Sequence, residues 1–187
     1  MKRKVLWSLL ALILFASVNA QAQKKEVMAA ANKIVAALKN KDLKTVARFV
    51  HPTKGLRIAP YGYLEKSDLV FKKAQVPSLF LLRRTYVWGA FDGSGDPINV
   101  GFPEYYKKFI YDRNYVRAPG VSYDKQIGYG NGVFNVRETY PKAKFVGYNF
   151  PEGKDGDVMG WSTLYLVFEK SGAQWYLLAV VHDEWVI

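Results

Sequence analysis

The chain opens with an almost unbroken apolar run, Val5 to Ala16, interrupted only by Ser8. Lys2, Arg3 and Lys4 precede it, and small residues follow at Val18-Asn19-Ala20 and again at Ala20-Gln21-Ala22. A basic start, a short apolar centre and small residues at cleavage spacing are the three parts of an export signal. The run is shorter than the roughly 20 apolar residues a spanning helix needs. Residues 1–20 are therefore read as a cleavable signal peptide, with the cut after Ala20 or Ala22. Residues 21–25 are expected to be a loose polar tail, and 26–187 a single domain.

Helical periodicity starts at Val27 and continues through Ala31, Ile34, Val35 and Leu38, with Lys33 and Lys39 off that face. Asn40-Lys41 interrupts it, and Asp42 is placed to cap a second helix carrying Leu43, Val46, Ala47 and Val50. His51-Pro52 ends that helix, because the residue before proline is pushed out of helical geometry. The middle of the chain mixes signals. A strand is expected at Gly55 to Ala59, a short helix at Ser67 to Lys73, a strand at Leu82 to Phe91 and a helix at Pro103 to Tyr111. Asp92 to Pro97 and Gly128 to Gly132 read as turns.

The second half turns to strands. Candidates are Asn114 to Val116, Val133 to Thr139, Lys144 to Phe150, Trp161 to Glu169 and Gln174 to Val186, the last two joined near Ser171-Gly172. Glu152 to Gly160 is a charged loop. In the final strand Trp175, Leu177, Ala179, Val181 and Trp185 alternate with Tyr176, Leu178, Val180 and Val186, so both faces are apolar. A solvated sheet face would carry polar residues. One face is expected on the helices and the other on a further surface, such as a second subunit in a homodimer.

Composition narrows the class. The full chain has 27 basic and 16 acidic residues, a formal charge of +11. Loss of Lys2, Arg3 and Lys4 with the signal leaves 24 basic residues and a charge of +8. No basic run after the signal exceeds two residues, and an exported protein does not meet the genome, so nucleic acid is not expected as a partner. Binding of the basic surface to anionic envelope polymers stays open. Cysteine is absent, so disulfides, a lipid on cysteine and a cysteine nucleophile are excluded. With two histidines, a standard zinc site is not expected. The mature protein is expected in the periplasm or secreted, without stable membrane insertion and without a cofactor.

The order of these elements, a helical hairpin, a mixed segment and a final run of long strands, resembles the nuclear transport factor 2-like superfamily. Phe49-Val50-His51-Pro52, Trp88 to Gly95 and Trp175 to Ile187 also resemble stretches of a group of exported bacterial proteins of unassigned activity. The resemblance implies an α+β fold, N-terminal helices packed on a strongly bent, mainly antiparallel sheet, a cystatin-like cone with a pocket inside. It spans binding modules and enzymes alike, so function must come from the site.

Candidate chemistry is sparse. His51 sits where an imidazole can satisfy the end of a helix. His182-Asp183-Glu184 looks catalytic, but successive side chains on a strand point to opposite faces, so His182 and Asp183 cannot be partners. Either His182 works with Glu184 through a bridge, or Asp183 works with a residue from elsewhere. If the face of Trp175 and Trp185 lines a pocket, Asp183 is the acid–base candidate. Asp92, Ser94 and Asp96 alternate like a calcium loop, but Pro97 and Pro103 stand where glycine and a bidentate acid are needed. Trp88, Tyr111 and Trp185 are the candidate ligand-binding aromatics, and Tyr61, Tyr63, Tyr105, Tyr106 and Tyr115 are further aromatics of the variable middle. The expectation is an exported binding module for a small apolar ligand or a protein. The alternatives are a pocket enzyme using Asp183 or His182, and the polymer-binding surface.

Overall fold

A computed structural model describes residues 2–128, 132–153 and 156–185, with backbone only for 2–17 and 158. The expected glycine-rich turn at Gly128 to Gly132 lies largely outside these residues.

Helix α1 runs Lys2–Lys39 without a break. No glycine or proline occurs in that stretch, and alanine, leucine, lysine and glutamine favour the helix throughout. Gln21 to Lys25, expected as a loose tail, is accordingly helical. Among the described side chains of this helix core contact begins at Val27, and Val27, Ala31, Ile34, Val35 and Leu38 are all buried, as the periodicity requires. Among the described residues no helix is long and apolar enough to cross a membrane.

Asp42 caps α2, Leu43–Phe49, accepting from the Thr45 amide at 3.0 Å and the Thr45 hydroxyl at 2.6 Å. His51 closes the turn after it in a way opposite to the expected one. Its Nδ1 accepts from the amides of Thr53 and Lys54 at 3.3 and 3.1 Å, instead of donating to the last carbonyls of α2. Burial lowers its pKa, which suits the neutral, accepting ring.

Strands β1 (Leu56–Ala59), β2 (Leu69–Phe71), β5 (Gly120–Tyr123), β6 (Lys144–Phe150), β7 (Ser162–Ser171) and β8 (Gln174–Glu184) form one sheet, while β3 (Thr85–Ala90) and β4 (Pro97–Gly101) form a separate hairpin. The sheet order is β2-β1-β8-β7-β6-β5, with β1 parallel to β8 and every other pair antiparallel. The molecule is thus α+β, with helices packed on a mixed, mostly antiparallel sheet.

Three elements differ from expectation. Ser67 to Lys73 is not helical: Leu69–Phe71 pairs with β1, since ladder bonds to a neighbouring strand outweigh a weak local helix signal. Tyr115–Arg117 is a 3-10 turn and Val136–Thr139 a single helical turn, α4. Neither pairs with the sheet, and the strand beside β6 is β5. The helix expected at Pro103 to Tyr111 is present as α3, Phe102–Tyr105, continued by a π-turn over Tyr106–Ile110. It drives Phe102, Tyr105, Tyr106 and Phe109 into the core, where Tyr105 stacks on Trp88 with ring centroids 3.9 Å apart.

A bulge in β8 changes which face each residue occupies. Val167 pairs with Ala179 and Phe168 with Leu177, so Leu178 is an extra residue and the alternation slips by one. Trp175 and Leu177 therefore share the helix-side core with Val180, whereas Ala179 and Val181 face the other way. That second face is covered by the chain itself: Leu64, Val136, Ala143 and Phe145 pack there with Tyr165 and Val167, and Phe134 and Tyr140 close it. Its apolarity is thus accounted for without a second subunit. Gly147 makes the layer possible, since a Cβ there would lie 2.7 Å from the Tyr165 ring and 2.9 Å from Ile127.

Candidate functional site

Past the bulge, β8 presents His182 to the helix side and Asp183 to the opposite side. The two neighbours enter different surroundings, as strand geometry demands.

His182 is fully buried in a polar knot. Its Nδ1 lies 3.2 Å from the Pro60 carbonyl and its Nε2 lies 3.2 Å from Ser162 Oγ and 3.5 Å from Asp112 Oδ1. Asp112 also accepts from Tyr115 at 2.7 Å and from Ser162 at 2.9 Å. Burial alone would lower the imidazole's pKa, but hydrogen bonding to Asp112 and its charge outweigh this and raise it. Burial likewise opposes the Asp112 charge, and His182, Tyr115 and Ser162 together hold its carboxyl below the usual range. Each ring nitrogen then donates, Nδ1 to Pro60 and Nε2 to the hydroxyl and carboxylate. Serine and aspartate share one edge of the ring, and the other edge is closed by the backbone. A serine nucleophile needs them on opposite edges. The knot joins the segment after α3 to the ends of β7 and β8. The carboxylate within reach of the His182 ring is Asp112, while Asp183 lies on the opposite face of the sheet.

Asp183 lines a cleft of about 620 Å³ whose walls are Tyr61, Gly62, Tyr63, Glu65, Ala90, Phe91, Asp92, Gly93, Gly95, Gly132 and Val133. Three parts of the chain build it: the segment after β1, the turn of the β3–β4 hairpin, and the stretch leading to α4. The hairpin turn is tight, with Gly95 donating to the Phe91 carbonyl at 2.9 Å and Asp96 to Ser94 Oγ at 3.2 Å. Tyr61 is anchored there because its hydroxyl accepts from the Asp92 amide at 3.2 Å. Asp183 is 7% exposed. Burial pushes its pKa up to about 6, against the lowering effects of the His182 charge and of the Gly62 amide that donates to it.

Of the five residues singled out from sequence, only Asp183 lines this cleft. Trp88 is 1% exposed, sealed between Tyr105, Phe71 and Phe102, with its indole N–H donated to the Val100 carbonyl at 3.0 Å. It is a core residue because strand β3 turns it inward over α3. Tyr111 ends the π-turn and bonds Asn114 at 3.1 Å, and Trp185 is 41% exposed just beyond β8. Neither is a wall of the cleft. Tyr61 and Tyr63 were visible as aromatics of the middle segment, whereas Phe91, Glu65 and Val133 carry no local signal of a shared site. Among the described residues no group of three or more His, Cys, Asp or Glu side chains is placed to hold a metal ion.

No family model matches the sequence, and no curated protein matches it. Among solved structures, the chain is similar to one from Xanthomonas campestris described as a calcium/calmodulin-dependent protein kinase II association domain. The identity is 12%, the match covers 85% of each chain, and the TM-score is 0.36.

Proposed function

We propose that this protein is an exported binding module of nuclear transport factor 2-like architecture that holds a small ligand in the cleft over Asp183. The observation that carries the reading is the cleft itself. Its size falls within the range of small-molecule sites, and it pairs aromatic walls at Tyr61 and Phe91 with a few polar groups. Asp183 serves as an anchor for the ligand, because His182 is committed to Asp112 on the other side of the sheet.

Ligand-observed fragment screening tests the reading, with Ala90→Trp as a plug from the exposed end of β3. Fragments are expected to bind the native chain, to perturb Gly62 and Tyr61, and to be lost from the folded A90W variant. Absence of hits at these residues, or hits that survive the plug, would overturn it. The exported part of the proposal predicts a secreted or periplasmic product beginning at Gln21 or Gln23, read by intact mass. A product that retains Lys2 to Lys4 would count against it.

A further inference from the structure

We infer that the occupant of the cleft is a small organic cation, an ammonium group on an apolar body, with Asp183 as its counter-charge. This rests on the reading that the cleft binds a small ligand, and it adds the class of that ligand.

Charge is the first argument. Basic residues outnumber acidic ones 27 to 16 in the chain, yet among the described residues the cleft wall contains Glu65, Asp92 and Asp183 and no lysine, arginine or histidine. A cleft of one sign concentrates ligands of the other.

Burial is the second, and it is independent of the count. Asp183 is more than nine-tenths buried and opens into the cleft, and among the described residues no Lys, Arg or His nitrogen lies within ion-pair distance of it. Its protein hydrogen-bond donor is the Gly62 amide. Other buried or half-buried carboxylates are met by cations: Asp68 by Arg57 at 3.2 Å, Asp124 by Lys144 at 2.6 Å, and Asp112 by His182. Buried charges are ordinarily paired, and Asp183 departs from the pattern where the wall is open to a ligand.

The walls supply the third. Aromatic faces attract cations through their quadrupole, and Tyr61 and Phe91 line the same cavity as Asp183. Phe91 already holds one cation, the Lys108 ammonium 4.4 Å from its ring centroid, although Lys108 is not part of the wall. An apolar body against Tyr61 and Val133 with an ammonium at Asp183 satisfies each of these features.

The test uses three matched probes on the full chain at pH 7.5: phenethylammonium, phenethyl alcohol and phenylacetate, followed through the amide signals of Gly62 and Asp183. The ammonium is expected to bind at least ~10-fold tighter than the alcohol, the step that one charge-assisted contact provides. Phenylacetate is expected not to bind. Asp183→Asn is expected to bring ammonium and alcohol to equal affinity, with its dispersed amide spectrum showing that it is folded. Equal binding of ammonium and alcohol to the native chain, or preference for phenylacetate, would overturn the cation assignment and leave the cleft as a binding site. Failure of all three probes to move these amides would overturn both. The native-chain comparison decides the matter even if the variant does not fold.

Discussion

Gly62 stands so close to Asp183 that a Cβ added to it would come within 3.0 Å of the carboxyl. The glycine allows the backbone amide to reach the buried charge, and that amide helps to hold the charge in place. A methyl group here has to displace either the carboxyl or the 60–64 segment. Gly62→Ala is expected to cost about 1–3 kcal/mol, the usual penalty of overpacking. Urea denaturation measures it, and a loss below a few tenths of a kcal/mol would show that the contact is loose.

Asp183 also gives stability a definite slope with pH. Its pKa is about 6 in the folded chain against 3.8 for the free side chain, so the folded state binds the proton more tightly. Stability is highest below pH 3.8 on this account and falls as pH rises through the window from 3.8 to about 6. The full shift corresponds to about 3 kcal/mol, reduced by whatever relaxation the cleft allows. Glu184 and His182 act on this carboxyl, its charge reaches Tyr165, and Glu65 and Asp92 line the same cleft. Asp183→Asn, which keeps an acceptor for the Gly62 amide, is expected to raise Tm at pH 8 and to leave it nearly unchanged at pH 4. An equal effect at both values would count against an uncompensated charge.

The knot on the other face slopes in both directions. His182 has a raised pKa, so its contribution is complete below 6.5 and is lost as pH rises through the folded value. Asp112 has a lowered one, so its contribution is complete above 3.8 and is lost as pH falls through the folded value. Besides this pair, the groups facing the ring are Tyr115, Ser162, the Pro60 carbonyl and Glu184, and Arg113 lies 3.9 Å from Asp112. Imidazole NMR of the native chain is expected to show His182 titrating above 6.5. Asp112→Asn is expected to move it below 6.5, since burial then acts without the counter-charge. A native value at or under 6.5 would contradict the pairing.

Two tryptophans that look alike in sequence are expected to behave differently. Trp88→Ala removes a core ring stacked on Tyr105 and is expected to destabilise by about 3–5 kcal/mol. Trp185→Ala alters an exposed side chain and is expected to stay within about 0.5 kcal/mol. Thermal denaturation of both separates the roles, and similar losses would place Trp185 in the core as well.

Much of this architecture was legible along the chain. The buried face of α1, the Asp42 cap, the end of α2 at His51-Pro52 and strands β6 to β8 all follow from local periodicity, because each depends on residues a few positions apart. The opposite orientation of His182 and Asp183 follows from strand pleat alone. Other features are decided by contacts distant in sequence. Leu69–Phe71 became a strand because β1 was there to pair with it. The bulge at Leu178 put Trp175 on the side of His182, not of Asp183, and no pattern of alternating residues announces where a ladder will slip. Asp112 met His182 across 70 positions, and Tyr61, Phe91 and Val133 met Asp183 from three separate segments. Local chemistry determines which segments are helices and strands and which face of each is apolar. Only the folded sheet decides which distant groups share a cavity, and therefore which carboxylate is neutralised within the chain and which stands over an open cleft.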